Sequence, residues 1–161
     1  MRTYVLDSDA WICLKTHYPR DVAPAVWEAI EDLIAEGTII SVHEVYRELL
    51  NGGGEDEIRV WAESHSDTFH EMCEVQIAIL ATELLVQFPK LANHDSQKPF
   101  ADPWLVAMAL KLIREGADCC VVTEEKLGGD GASKVPNVCR HYEVPCTNLV
   151  GMFRELKIKW G

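Results

Sequence analysis

The sequence predicts a three-layer α/β/α domain built on a central, mostly parallel sheet of four to five strands. Two observations carry this. Short apolar runs such as Tyr4-Val5-Leu6, Thr38-Ile39-Ile40 and Cys119–Thr123 stop abruptly, as strands buried on both faces do. Stretches of helical spacing lie between them, and strands alternating with helices close into a parallel sheet covered on both sides. With 161 residues and no repeat or linker, one domain spanning 1–161 is expected.

The first strand ends at Asp7-Ser8-Asp9, followed by a short helix over Ala10–His17 that stops before Tyr18-Pro19. Pro24 opens a second helix, with Val26, Ile30, Leu33 and Ile34 on one face and Gly37 suited to the left-handed position after it. Ser41 and Glu44 have the spacing of a capping box, which would start a third helix with Val42, Val45 and Leu49 inward. Asn51-Gly52-Gly53-Gly54 breaks the chain. An amphipathic segment follows over Glu55–Ser66, then a long helix over Glu71–Gln87 and a polar loop from Phe88 to Ala101. Asp102-Pro103 opens a helix that ends at Glu115-Gly116, and the third strand then runs into Glu124-Glu125. A glycine-rich loop, a helical turn near Asn137–Tyr142, a candidate fourth strand at Val144–Asn148 and a helix over Leu149–Lys157 complete the pattern.

Composition excludes several classes. No apolar run approaches the roughly 20 residues of a membrane span. The first strand starts almost at once, so no signal peptide is expected and the cytoplasm is the expected location. Cys13, Cys73, Cys119, Cys120, Cys139 and Cys146 form no C-x-x-C pair. Cys139, His141 and Cys146 match no common zinc spacing, so reduced and mostly buried thiols are expected. The net charge of −11 is uneven: residues 1–89 hold 5 Lys and Arg against 17 Asp and Glu, whereas residues 90–161 hold 10 against 9. Such a chain does not grip nucleic acid through its overall field. An anionic substrate has to be met by a local basic patch, a bound metal or a partner chain.

Four elements aim an acid toward the carboxyl edge of the sheet, where open α/β folds place ligands. Asp7 ends the first strand, Glu48 lies on the helix after the second, Asp102 begins the helix before the third, and Glu125 follows that third strand. Each has a structural reading too: Asp7 and Asp102 as helix caps, Glu48 as a solvated helix residue, Glu125 as a loop residue. Glu44 is assigned to the capping box. Converging carboxylates repel unless a cation compensates, and all-oxygen ligation suits Mg²⁺ or Mn²⁺.

The pattern resembles the PIN domain, the fold of many metal-dependent ribonucleases, including VapC-like toxins of toxin–antitoxin pairs. The matching segments are Val5-Leu6-Asp7-Ser8-Asp9, Ser41 through Glu48-Leu49, Ala101 through Ala109, and Val121-Val122-Thr123-Glu124-Glu125, in family order. The resemblance implies hydrolysis of RNA phosphodiesters with one or two Mg²⁺ or Mn²⁺ ions. It makes Asp7, Glu48, Asp102 and Glu125 the metal-holding and catalytic set, supported by Ser8, Asp9 and Thr123. Glu125 stands where the family usually has Asp, and Asp9 where many members have Asn. An antitoxin protein and a homodimer are implied as partners. Lys126, Lys134, Arg140, Arg154, Lys157 and Lys159 are candidates for substrate grip, with a solvated surface as the plainer role. His43, His65, His70 and His94 read as surface or capping residues.

Two rivals remain. Asp7-x-Asp9 resembles the nucleophile motif of haloacid-dehalogenase-type phosphatases, although Gly129-Asp130 follows no late apolar strand. A non-catalytic PIN-like interaction module fits the acidity and the Trp residues read as exposed, Trp27, Trp61, Trp104 and Trp160.

Overall fold

Asp7 closes the central strand of a five-stranded sheet. In the computed structural model, which describes residues 1–51, 56–70, 75–91 and 101–159, this strand, β1, spans Thr3–Leu6. Val5 and Leu6 are fully buried. Strand β1 is flanked by β2 (Ile39–Val42) on one side and by β4 (Cys119–Val122) on the other. The outer strands are β3 (Phe69–His70), beside β2, and β5 (Cys146–Thr147), beside β4. The order is β3-β2-β1-β4-β5 and every pairing is parallel. All carboxyl ends therefore open on one edge.

The helices are α1 (Ser8–His17), α2 (Pro24–Ala35), α3 (His43–Leu50), α4 (Glu57–Ser64), α5 (Val75–Gln87), α6 (Asp102–Arg114), α7 (Val135–His141) and α8 (Leu149–Leu156). They complete a three-layer α/β/α arrangement. Helix α6 lies along β1, β2 and β4 and packs on α5, while α1 meets α3, α4 and α8. Gly37 (φ 74°) and Gly116 (φ 91°) take the left-handed position after α2 and α6. There Thr38 N–H reaches back to Leu33 O and Ala117 N–H to Leu112 O, each at 2.9 Å. None of the described helices is long and apolar enough to cross a membrane.

Several sequence expectations are corrected. Helix α1 begins two residues earlier than expected, because Asp7 caps it by accepting from Ser8 N–H at 2.7 Å. The Ser41–Glu44 capping box does not form. The second strand continues through Val42, and the buried Ser41 hydroxyl donates to Leu6 O at 2.6 Å, while Glu44 pairs with Arg47 at 3.1 Å. Strand β3 falls between the segments read over Glu55–Ser66 and Glu71–Gln87 and was not expected, since two residues are too few to show a period. Trp27 and Trp61 are buried rather than exposed. They meet each other edge to face at 5.5 Å, and Trp61 meets Trp11 at 4.9 Å. His65 stacks on Trp61 at 4.4 Å and so has a packing role. Cys13, Cys119, Cys120, Cys139 and Cys146 are free thiols, three of them buried. The expectations for Gly52–Gly54, Glu71–Glu74, Cys73, His94, most of the loop before Ala101, and Trp160 lie outside the described residues.

Ser41→Ala removes a buried bond and is expected to cost about 1–2 kcal/mol. Glu44→Gln, which removes only an exposed pair, is expected to cost less than about 0.5 kcal/mol. Urea midpoints at unchanged m-value check both. Similar losses for the two variants would restore the capping box.

Candidate active site

Three separate connections deliver acids to the carboxyl edge of the sheet. Asp7 follows β1, Glu48 sits on α3 directly after β2, and Asp102 is the first residue of α6, whose cap position belongs to Ala101. Asp102 is therefore not the helix cap that its place before Pro103 suggested. Asp7 is 3% exposed. Burial raises its carboxyl pKa well above the ordinary value, and Asp9, Asp102 and Glu48 raise it further by repulsion. Burial also lifts Asp102 to about 7, helped by Glu125, Glu48 and Asp9 and opposed by Lys134. Glu48 is raised by burial first, with Asp9 and Glu44 adding to it. Asp7, Asp9, Glu48, Asp102 and Glu125 are thus electrostatic neighbours in one cluster.

Hydrogen bonds fix how these carboxylates stand. Asp7 accepts from Ser8 N–H on one oxygen and faces the Thr123 hydroxyl at 3.1 Å on the other. The Thr123 hydroxyl carries one proton and also lies 3.1 Å from Asp9 Oδ2, so the two acids share one donor. Glu124 N–H donates to Asp9 at 3.2 Å. Glu48 accepts from the Ser8 hydroxyl at 2.5 Å and from Ala101 N–H at 2.7 Å. Ser8 therefore joins the end of β1 to α3, while Ala101 brings the start of α6 against the same carboxylate.

Glu125 accepts from Val135 N–H at 2.8 Å, which seats it at the start of α7. Glu124 accepts from Leu149 N–H at 2.7 Å, at the start of α8, and so has a tethering contact that the sequence did not disclose. Lys134 is exposed yet close enough to lower the Asp102 pKa. Glu44, set aside in the sequence as a cap, adds negative potential at Glu48. Its position one turn before Glu48 was the available signal. Gly129 and Asp130 lie in an exposed turn, with Gly129 O accepting from the Asn137 amide at 3.1 Å.

The donor set is all carboxylate oxygen, buried and mutually repelling, which suits a hard divalent cation chemically. In this conformation no three carboxylate, imidazole or thiolate groups among the described residues enclose a common point at ligand distance. Asp7, Asp9, Glu48 and Glu125 are instead turned toward N–H and hydroxyl donors of the chain.

The sheet order and the edge occupied by these acids define a PIN-like fold. The chain belongs to the family described as a domain of unknown function (DUF4411), whose sequence model matches residues 4–160. It overlays on the 2.2 Å structure of VapBC-1 from nontypeable Haemophilus influenzae with a TM-score of 0.56 at 15% identity, covering 93% of this chain and 99% of that one. A structure of VapBC2 from Rickettsia felis bound to a DNA fragment from their promoter gives a TM-score of 0.49 at 11% identity, covering 92% and 98%. At these identities the likeness concerns the fold. No curated protein matches the sequence.

The raised Asp102 pKa makes a pH prediction. Its carboxyl ionises near 3.8 ordinarily and near 7 here. The folded state therefore carries no penalty below the lower value and the full penalty above the upper one. The metal-free protein is expected to lose on the order of 1 kcal/mol of stability from this group between pH 6 and pH 8, with Asp102→Asn flattening the trend. Urea unfolding in the presence of a chelator measures it. An unchanged slope in the variant would mean that Asp102 is not strained in this way.

Proposed function

We propose that the chain is a divalent-metal-dependent endoribonuclease of the PIN type. The observation that carries this reading is the convergence of buried, mutually repelling carboxylates from three separate connections, with Lys134 partly offsetting Asp102. Acids are not gathered in this way for stability, because burial penalises each charge.

Asp7, Glu48, Asp102 and Glu125 would hold Mg²⁺ or Mn²⁺. The ion, when bound, supplies charge neutralisation at a phosphodiester and a more acidic water. The chain's own residues set the geometry. Ser8 N–H and the Thr123 hydroxyl fix the Asp7 carboxylate, Ala101 N–H fixes Glu48, and Val135 N–H fixes Glu125. Asp9 competes with Asp7 for the Thr123 proton and keeps the cluster negative. Water attack on phosphorus breaks the P–O3′ bond, leaving a 3′-hydroxyl and a 5′-phosphate. The substrate is RNA, and the reaction takes place in the cytoplasm. The fold-level likeness to VapBC-1 supports a toxin whose partner is an antitoxin protein, and the resemblance to the PIN family adds a homodimer as its own assembly.

Asp7→Asn keeps an oxygen to accept from Ser8 N–H, so it is expected to fold normally. It is expected to lower RNA cleavage by more than about 100-fold, as loss of a metal-centre group does. Gel assays of RNA with Mn²⁺ and calorimetric Mn²⁺ titration of the wild type and the Asp7→Asn/Asp102→Asn protein test this. Cleavage surviving in Asp7→Asn, or no Mn²⁺ uptake by the wild type, refutes the reading and favours an interaction module.

A further inference from the structure

One cavity adjoins the carboxylate edge, a second lies next to it, and Arg140 lines both. The larger, about 660 Å³, begins at Thr123 and Glu125 and is bordered by Lys126 and Arg140. The smaller, about 340 Å³, lies beyond Arg140 and is lined by Phe88 and His141. The rings of Phe88 and His141 meet edge to face at 5.2 Å, with Phe88 buried and His141 exposed. Neither Lys126 nor Arg140 has an ion-pair partner among the described residues. In a chain of net charge −11, two cations border one groove with no acid paired to them among the described residues. The rim is also preformed. The Asn137 side chain accepts from Gly128 N–H at 2.8 Å and donates to Gly128 O at 3.2 Å, and a Cβ on Gly128 would meet Ala132 at 2.8 Å.

We propose that these two cavities form the track of a single-stranded RNA, with Arg140 and Lys126 on a phosphate and the Phe88–His141 pocket on an unpaired base. Guanidinium and ammonium groups beside a groove follow a phosphate backbone, and an aromatic face accepts a base only when that base is free of a duplex. The Glu125 end places the scissile phosphate of the proposed reaction one step along the same strand, which is where this inference rests on the ribonuclease reading.

The test is fluorescence anisotropy with a fluorescein-labelled single-stranded RNA octamer and the full chain carrying Asp7→Asn, which prevents cleavage. Arg140→Gln is expected to weaken binding about tenfold and to lower the salt slope by about one. Lys159→Gln, on a cation outside both cavities, is expected to change binding less than about twofold. His141→Ala is expected to weaken binding of the octamer about tenfold and to leave an abasic ribose-phosphate octamer unaffected. The same sequence as a duplex is expected to bind at least about tenfold more weakly. The track is overturned if Arg140→Gln behaves like Lys159→Gln, if the duplex binds equally well, if His141→Ala weakens both octamers alike, or if no octamer binds. Cleavage by the wild-type chain is scored separately, so binding as described without cleavage keeps the track and removes only the catalysis.

Discussion

Burying several negative charges at one edge of a sheet is the condition to which the rest of this molecule answers. Asp7 has almost no solvent, and Asp9, Asp102 and Glu48 crowd it. Repulsion of that kind would splay the edge if nothing opposed it. What opposes it is a set of backbone N–H donors, each from a different segment: Ala101 for Glu48, Glu124 for Asp9, Val135 for Glu125 and Leu149 for Glu124. Each bond ties a connection to the carboxyl edge. The acids therefore position the starts of α6, α7 and α8 as well as one another.

The edge was legible in the sequence because an apolar strand that halts at a carboxylate is a local signal. Asp7 after Leu6 and the acids after Val122 stand where that signal placed them, and Gly37 and Gly116 close their helices as their positions implied. Ser41 misled because its spacing to Glu44 is right for a cap, while its hydroxyl is claimed by Leu6 O on the neighbouring strand. That is a tertiary contact, and no local pattern reports it. Strand β3 was invisible for another reason: Phe69-His70 pairs with Ser41-Val42 over only two residues. Trp27 and Trp61 look like surface aromatics along their helices, yet they face each other across the fold. The resemblance carried the choice among acids further than spacing did, since spacing alone left capping open for Asp102 and Asp7, and Asp7 is in fact both a cap and a member of the cluster.

The uneven charge also gains a spatial meaning. The cations of the later half are not spread evenly around the edge: Lys134 opposes the acids directly, and Lys126 and Arg140 border the adjoining groove. The negative cluster thus has a positive margin beside Glu125. A negatively charged group meets less repulsion along that margin than beside the acids themselves.

Strand β1 lies between β2 and β4, and its partner Val122 is more than a hundred residues away in sequence. One of its two hydrogen-bonded sides therefore stays unmet until Cys119–Val122 has been made. The Thr123 hydroxyl reaches Asp7 only when that partner docks. Such distant closure is slow and comes late in folding. A chain whose residues 119–122 have yet to be made accordingly has no assembled acidic edge, because one side of the strand that ends at Asp7 still lacks its neighbour.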